Sequence, residues 1–354
     1  MLAPFPSANS VPAPSIGGAA KSSFTSTKLA DGRLVVIGGV ESSVSRKDVD
    51  VYAADGLSRV AGGNLVGIGR QYAASTVLGD GRALVVGGHD PYVSNLSLDL
   101  VETMDPTSLV WTAHSALPNI VNYHALVTLH DGNALSTGGH TTANVVWDTV
   151  YEYVQTSNTW MTRAPMHVTR YSHTATVLRD GRVLVAGGYT TGGWHHSAEI
   201  YDPIANTWTY VAPMHFVRGA ALAVLLQDGR VLVAGGDGTD GVPTDTAEVY
   251  NPTTNVWTLT PRMANTREEY PNSPGGCLQV LPSGLVLCAG GYNVDYSTTN
   301  LVEVYDPQQN IWRVIGTMKD ARAEFGSMVT STGRVLCVAG WGGAEYLATA
   351  EFIF

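Results

Sequence analysis

A basic residue returns at a fixed place along this chain. Ten positions ahead of a repeated turn that begins at residues 31, 80, 180, 228 and 332 stand Lys21, Arg70, Arg170, Arg218 and Arg322. Val121 holds the same place ahead of residue 131, and Arg267 is the best match ahead of residue 283, with six extra residues intervening. Guanidinium groups grip carboxylates through paired N–H donors, so a ring of them would suit an anionic ligand. A matching acid also recurs in each unit: Asp50, Glu102, Glu152, Glu199, Glu248, Glu303 and Glu351. A basic ring matched by an acidic one is more economically a set of ion pairs joining one unit to the next. We therefore expect most of these side chains to be struts. Arg218, followed by Gly219-Ala220-Ala221, and Arg267 are expected to stay partly open to ligand.

Two further sets of residues could do chemistry. Tyr72, Tyr123, His124 and His173 stand two or three residues after the basic position. The other set follows a recurrent double glycine: His89, His140, Tyr189 with Trp194-His195-His196, Asp237 with Asp240, Tyr292 with Asp295-Tyr296, and Trp341. Loops on a rigid scaffold are where binding residues concentrate. Trp, Tyr, His and Asp in such loops suit sugar stacking and hydroxyl recognition. Tyr189 and Tyr292, directly after the glycines, are expected to cap their units, whereas Trp194, His195 and His196 are expected to be exposed. No nucleophile–base pair or carboxylate dyad stands out.

What positions these residues is a repeat. Asp180–Gly188 reads Asp-Gly-Arg-Val-Leu-Val-Ala-Gly-Gly and returns unchanged at Asp228–Gly236, with relatives starting at residues 31, 80, 131, 283 and 332. Consecutive starts lie 49, 51, 49, 48, 55 and 49 residues apart. A fixed period of about 50 residues means one supersecondary unit copied many times. Each copy gives a tight Asp-Gly turn, a short apolar strand, and two glycines that admit another backbone. The fourth unit shows four strand signals: His173–Leu178, Arg182–Ala186, Ala198–Pro203 and Thr207–Val211. The first unit is degenerate, with Arg59 where the others carry Trp. Alternation of period two dominates and no helix is expected.

These residues resemble the Kelch repeat, in the form seen in the propeller domain of galactose oxidase-like proteins. The resemblance covers residues 20–354 and implies an all-β, seven-bladed propeller occupying the whole chain as a single domain. Blades would start near residues 20, 69, 120, 169, 217, 266 and 321. The chain ends on a third strand, so residues 5–13 are expected to supply the fourth strand of the last blade and close the ring. The resemblance also implies that the basic ring and the loops after the double glycines share one face. In that family a Tyr-His pair at the place of Tyr123-His124 binds copper. Here no Cys stands where the family's Tyr–Cys crosslink needs one, and no later domain supplies the further ligand. We expect no cofactor and no copper chemistry.

Composition bounds the partners. The net charge is −10, with four lysines among the 20 basic residues, which argues against a nucleic-acid partner, since that would need a basic face. No apolar run is long enough to span a membrane, and no signal peptide is legible, so a cytoplasmic or virion location is expected. Cys277, Cys288 and Cys337 lack metal or disulfide spacing and read as buried thiols. The leading expectation is a non-catalytic binding propeller that recognises a protein or a glycan, an anionic one if the arginines face it. Incorporation into a larger assembly, as a structural or receptor-binding component of a virus particle, is the alternative that low charge and abundant Ser, Thr and Asn suggest. A galactose oxidase-like copper enzyme is the third reading.

Overall fold

The computed structural model describes residues 10–17, 20–92, 95–267 and 277–354. Their strands assemble into seven antiparallel four-stranded sheets. In the fourth, Thr174–Val177 pairs with Val183–Ala186, which pairs with Ala198–Asp202, which pairs with Thr207–Val211. The other sheets repeat this order over residues 25–64, 74–113, 125–163, 222–259 and 277–317. The seventh takes Gly326–Val329, Val335–Val338 and Ala350–Ile353 from the end of the chain and Ser10–Ala13 from its beginning. First strands stand against one another around a ring, including the first against the seventh. This is a seven-bladed β-propeller closed by the N-terminal strand. The expected closing segment began at residue 5; residues 5–9 lie outside the described residues. Among the described residues the only helix is a single 3-10 turn, Thr239–Gly241.

The second strand of every blade is buried on both faces, and in all but the third blade, where it reads Ala-Leu-Ser-Thr, it is a continuous apolar run. The core lies between blades rather than within them. Leu184 and Ala186 of the fourth blade, for example, share a cluster with Val231 and Val233 of the fifth. In the third to sixth blades the Tyr of the third strand meets the Trp of the fourth, as Tyr201 does Trp208 with ring centroids 5.0 Å apart. That indole then donates to the preceding blade, Trp208 Nε1 to the Ala164 carbonyl at 2.8 Å. Asn206, in the left-handed region at φ 53°, closes the turn between third and fourth strands and accepts from Tyr201 Oη at 2.8 Å. The same Asn oxygen accepts the Ala164 amide at 2.9 Å, so the turn is also a joint.

Candidate functional site

The links from each fourth strand to the next first strand converge on the mouth of the central channel. Each link begins at the basic position, and its backbone explains the double glycine. The second glycine of every blade donates its N–H to the carbonyl of the next blade's basic position. These bonds run Gly39 to Arg70, Gly88 to Val121, Gly139 to Arg170, Gly188 to Arg218, Gly236 to Arg267, Gly291 to Arg322 and Gly340 to Lys21. All are 2.7–2.9 Å long. A Cβ on Gly188 would lie 2.7 Å from the Tyr171 carbonyl oxygen and 2.9 Å from the His173 Cβ, at a φ of 96°. Only glycine fits.

The side chains of the basic ring turn away from solvent. Arg70, Arg170, Arg218, Arg267 and Arg322 are each 0–2% exposed. They pair with Glu102, Glu199, Glu248, Glu303 and Glu351 at 2.7–2.9 Å. Lys21 reaches Asp50 at 3.3 Å and Asp48 at 3.1 Å. Arg218 also donates to the Gly235 carbonyl at 2.8 Å and the Thr246 carbonyl at 3.0 Å. Burial alone would raise the Glu248 carboxyl, but the His215 N–H and the Arg218 guanidinium outweigh it and hold it below the usual range. In the third unit, where Val121 replaces the base, Glu152 is held by Arg163 at 2.8 Å and by the Asn133 amide at 2.7 Å.

Two expectations are corrected here. The pairs lie within the blade that the link enters, not between blades; what crosses the blade boundary is the link's backbone carbonyl. Arg218 and Arg267 are sealed like the rest, so the five arginines present no donors to a ligand at this face. Arginines of three Asp-Gly-Arg turns, on the opposite face, do cross between blades. Arg33 donates to the Pro106 carbonyl, Arg82 to that of Gln155 at 2.8 Å, and Arg230 to that of Pro307 at 2.8 Å.

In the six links whose second residue is described, that residue adopts the left-handed conformation although none is glycine: Ser23, Tyr72, Tyr123, Ser172, Ala220 and Glu324, with φ 50–55°. Left-handed backbone costs such residues roughly 1–2 kcal/mol each. Bonds between successive links hold it in place, Ser172 N–H to the Tyr123 carbonyl and Ala220 N–H to the Ser172 carbonyl, both 2.9 Å. The residue one place into the link pairs by backbone with the residue after the double glycine, as Asn122 does with His140 and Tyr171 with Tyr189. These two rules bring aromatic side chains from different blades side by side.

The outcome is an arc along one side of the mouth. Tyr72 lies 4.6 Å from Tyr123, Tyr123 5.0 Å from His140, His140 4.4 Å from Tyr171, Tyr171 5.1 Å from Tyr189, and Tyr189 5.8 Å from Trp194. All six are half-buried. Burial raises the Tyr171 phenol and lowers the His140 imidazole. Tyr189 also donates to Asp237, and across the channel Tyr292 donates to Glu324 at 2.8 Å while Ser23 donates to the other oxygen at 2.6 Å. Trp341 packs edge-on against Tyr346 at 5.1 Å, outside the arc. His89 is half-buried beside Gln71, His195 contacts Thr190 at 3.2 Å, and His196 is exposed.

The sequence reading missed Tyr171 and took Tyr189 for a cap only. The missed signal is the backbone pairing of the two positions, which no linear spacing displays. Of the residues expected to contact ligand, His124 and His173 are sealed at 1% and 7% exposure. They occupy the place three into the link that Phe24 and Phe325 fill in other units. His173 Nε2 lies 2.9 Å from Thr137 Oγ1.

A model of the Kelch motif matches residues 170–215, 218–264 and 281–319. Among solved structures, a fungal alcohol oxidase of the AA5 family, in complex with copper, is similar over 98% of this chain and 75% of its own. It has a TM-score of 0.75 at 15% identity. The structure of YjhT is similar over 85% of this chain and 99% of its own, with a TM-score of 0.67 at 14% identity. No curated protein sequence matches the chain. The chain is thus a seven-bladed β-propeller carrying Kelch motifs, of the galactose oxidase-like fold. At such identities the likeness to solved structures carries the fold alone.

The residues here do not fit copper. Tyr123 is at the mouth, but the adjacent His124 is buried between blades with both ring nitrogens unpartnered, and burial pushes its pKa down to about 3. Among the described residues no three His, Cys, Asp or Glu side chains converge as a metal would need. Cys277 is buried beside Cys337, and burial pushes its thiol well up.

Proposed function

We propose that the chain is a binding propeller that engages a protein or a glycan through the face bearing the links and the loops after the double glycines. The observation that carries this reading is the arc of six aromatic side chains, gathered from separate blades and left half-exposed. Buried blade-packing aromatics such as Tyr201 do not need such an arrangement; here two of the six rings, Tyr72 and Tyr123, are carried on left-handed backbone. Aromatic faces supply contact area at low conformational cost, for a sugar ring or for a protein surface.

The test is a glycan and peptide array probed with the purified chain and with Tyr171→Ala and Trp194→Ala variants. Ligands retained by the parent chain and lost by both variants support the reading. Ligands retained by both variants, or variants of Arg182 on the opposite face losing them instead, would refute it.

A further inference from the structure

Six of the seven loops on this face carry acids and no base, and the asymmetry names a partner. The first blade's loop alone holds bases: Arg46, which is paired with Glu41 and Asp48, and Lys47. From the second blade to the seventh, the loops between the double glycine and the third strand cover 87–100, 138–149, 187–197, 235–246, 290–300 and 339–349. They contain eight carboxylates, at positions 90, 99, 148, 237, 240, 245, 295 and 345, and no lysine or arginine; of these, Asp90 is buried and Asp245 is paired with Arg262 of the following link. The chain as a whole carries 20 basic residues against 30 acidic, so six loops of such length without one base are not a sample of the average. The basic ring beneath them contributes no exposed cation, because each guanidinium is spent on its own glutamate. Asp237 and Glu324 at the mouth are held by hydroxyl groups, those of Tyr189, Tyr292 and Ser23. Between these acids lie the electron-rich rings of the arc.

A second feature concerns the rim. Val44, Leu96, Val145, Val242 and Val294, on the loops after the double glycine of five different blades, are all exposed. Aliphatic tips around a polar, aromatic centre suit a folded or extended polypeptide better than a sugar, which offers few apolar groups to cover them.

We infer that the mouth takes a lysine or arginine side chain presented by a protein partner, whose apolar neighbours rest on the rim. This rests on the binding reading above and narrows it. The cation would sit over the Tyr123–Tyr171 stretch of the arc with Asp237 as counter-charge, an arrangement of the aromatic-cage kind. An anionic ligand, which the arginine ring seemed to invite, would meet a negative field.

The experiment uses the intact chain and three labelled probes: a peptide of alternating leucine and arginine, the same peptide with glutamate for arginine, and a chitosan hexamer. Fluorescence anisotropy is followed at two salt concentrations. The arginine peptide is expected to bind, to weaken at higher salt, and to lose about tenfold in affinity with Tyr171→Leu. Asp237→Asn should weaken it by a similar factor, while Asp228→Asn, which removes the same charge from the opposite face, should leave it unchanged. Equal losses from both Asp variants would reduce the effect to net charge and overturn the inference. So would preferential binding of the glutamate peptide or of chitosan, or no binding of the arginine peptide. If chitosan or the glutamate peptide binds and Tyr171→Leu abolishes that binding, the face remains the site and only the cationic partner falls. If every probe ignores the face variants, both readings fall.

Discussion

His124 shows how a residue that resembles a metal ligand can be a core residue in disguise. Its equivalents in the first and seventh units are Phe24 and Phe325, both buried. The imidazole is therefore filling a phenyl's place. Held by burial at a pKa of about 3, it stays neutral in the fold, whereas in the unfolded chain it protonates below about 6.5. Above that pH the group is neutral in both states and contributes no pH dependence. Below it the unfolded state binds the extra proton, so stability falls with acid until the folded-state pKa is reached, by on the order of 2 kcal/mol at pH 5. His173, lowered by burial and then by Arg170 and His124, acts in the same direction. A His124→Phe variant should accordingly lose less stability between pH 7 and pH 5 than the parent in urea melts; parallel curves would show that the site is solvated. Arg218 gives a companion prediction. Arg218→Ala leaves Glu248 buried without its guanidinium and should cost about 3–5 kcal/mol. A double Arg218→Met, Glu248→Met variant should recover most of that, as both charges leave together. Failure of the pair to recover would mean the Gly235 and Thr246 carbonyls, not the glutamate, are what the arginine serves.

At the scale of the element, the strand order, the Asp-Gly turns, and the Tyr and Trp of third and fourth strands were legible from the repeat alone. The roles of the arginines were not. Both series recur at the same period, and periodicity cannot say which of two arginines crosses a boundary. The one ahead of the first strand pairs inside its blade, while the one in the turn reaches outward, as Arg82 does to Gln155. The arc was illegible for the same reason: Tyr171 and Tyr189 are 18 residues apart in the chain and meet only through the link-to-loop backbone pairing. The double glycine, by contrast, was read correctly as a point of close approach, and its energetic weight can be measured. Gly188→Ala would force a Cβ onto the Tyr171 carbonyl at a left-handed φ. Strain and overpacking together should cost about 3 kcal/mol or more. Gly192→Ala, in open space on the nearby loop with only the Thr190 hydroxyl at 3.5 Å, should cost well under 1 kcal/mol.

For the whole molecule, ring closure is the decisive event. Ser10–Ala13 pairs in register with Ala350–Ile353, and Ser10 donates to Glu351, the same acid that pairs with Arg322. Removing residues 1–14 would bare the edge of the last blade and release its third strand. A lower melting temperature and binding of a hydrophobic dye by the truncated chain are expected. An unchanged melt would mean that the seventh blade stands on three strands.

That seam also sets how the ring would give way under load. Around the remainder of the ring, neighbouring blades are joined by continuous backbone as well as by the glycine-to-link bonds; at the seam the sheet is held by non-covalent bonds alone. In its antiparallel ladder Ser10 faces Ile353 and Ala13 faces Ala350. A force drawing the two ends of the chain apart thus acts at one end of the ladder and parts its bonds in succession, like a zip. In an optical trap the first rupture should be small and at low force, shortening with each residue removed from 10–13. Six blades would then yield later and at higher force, each still clasped to its neighbours through its glycines.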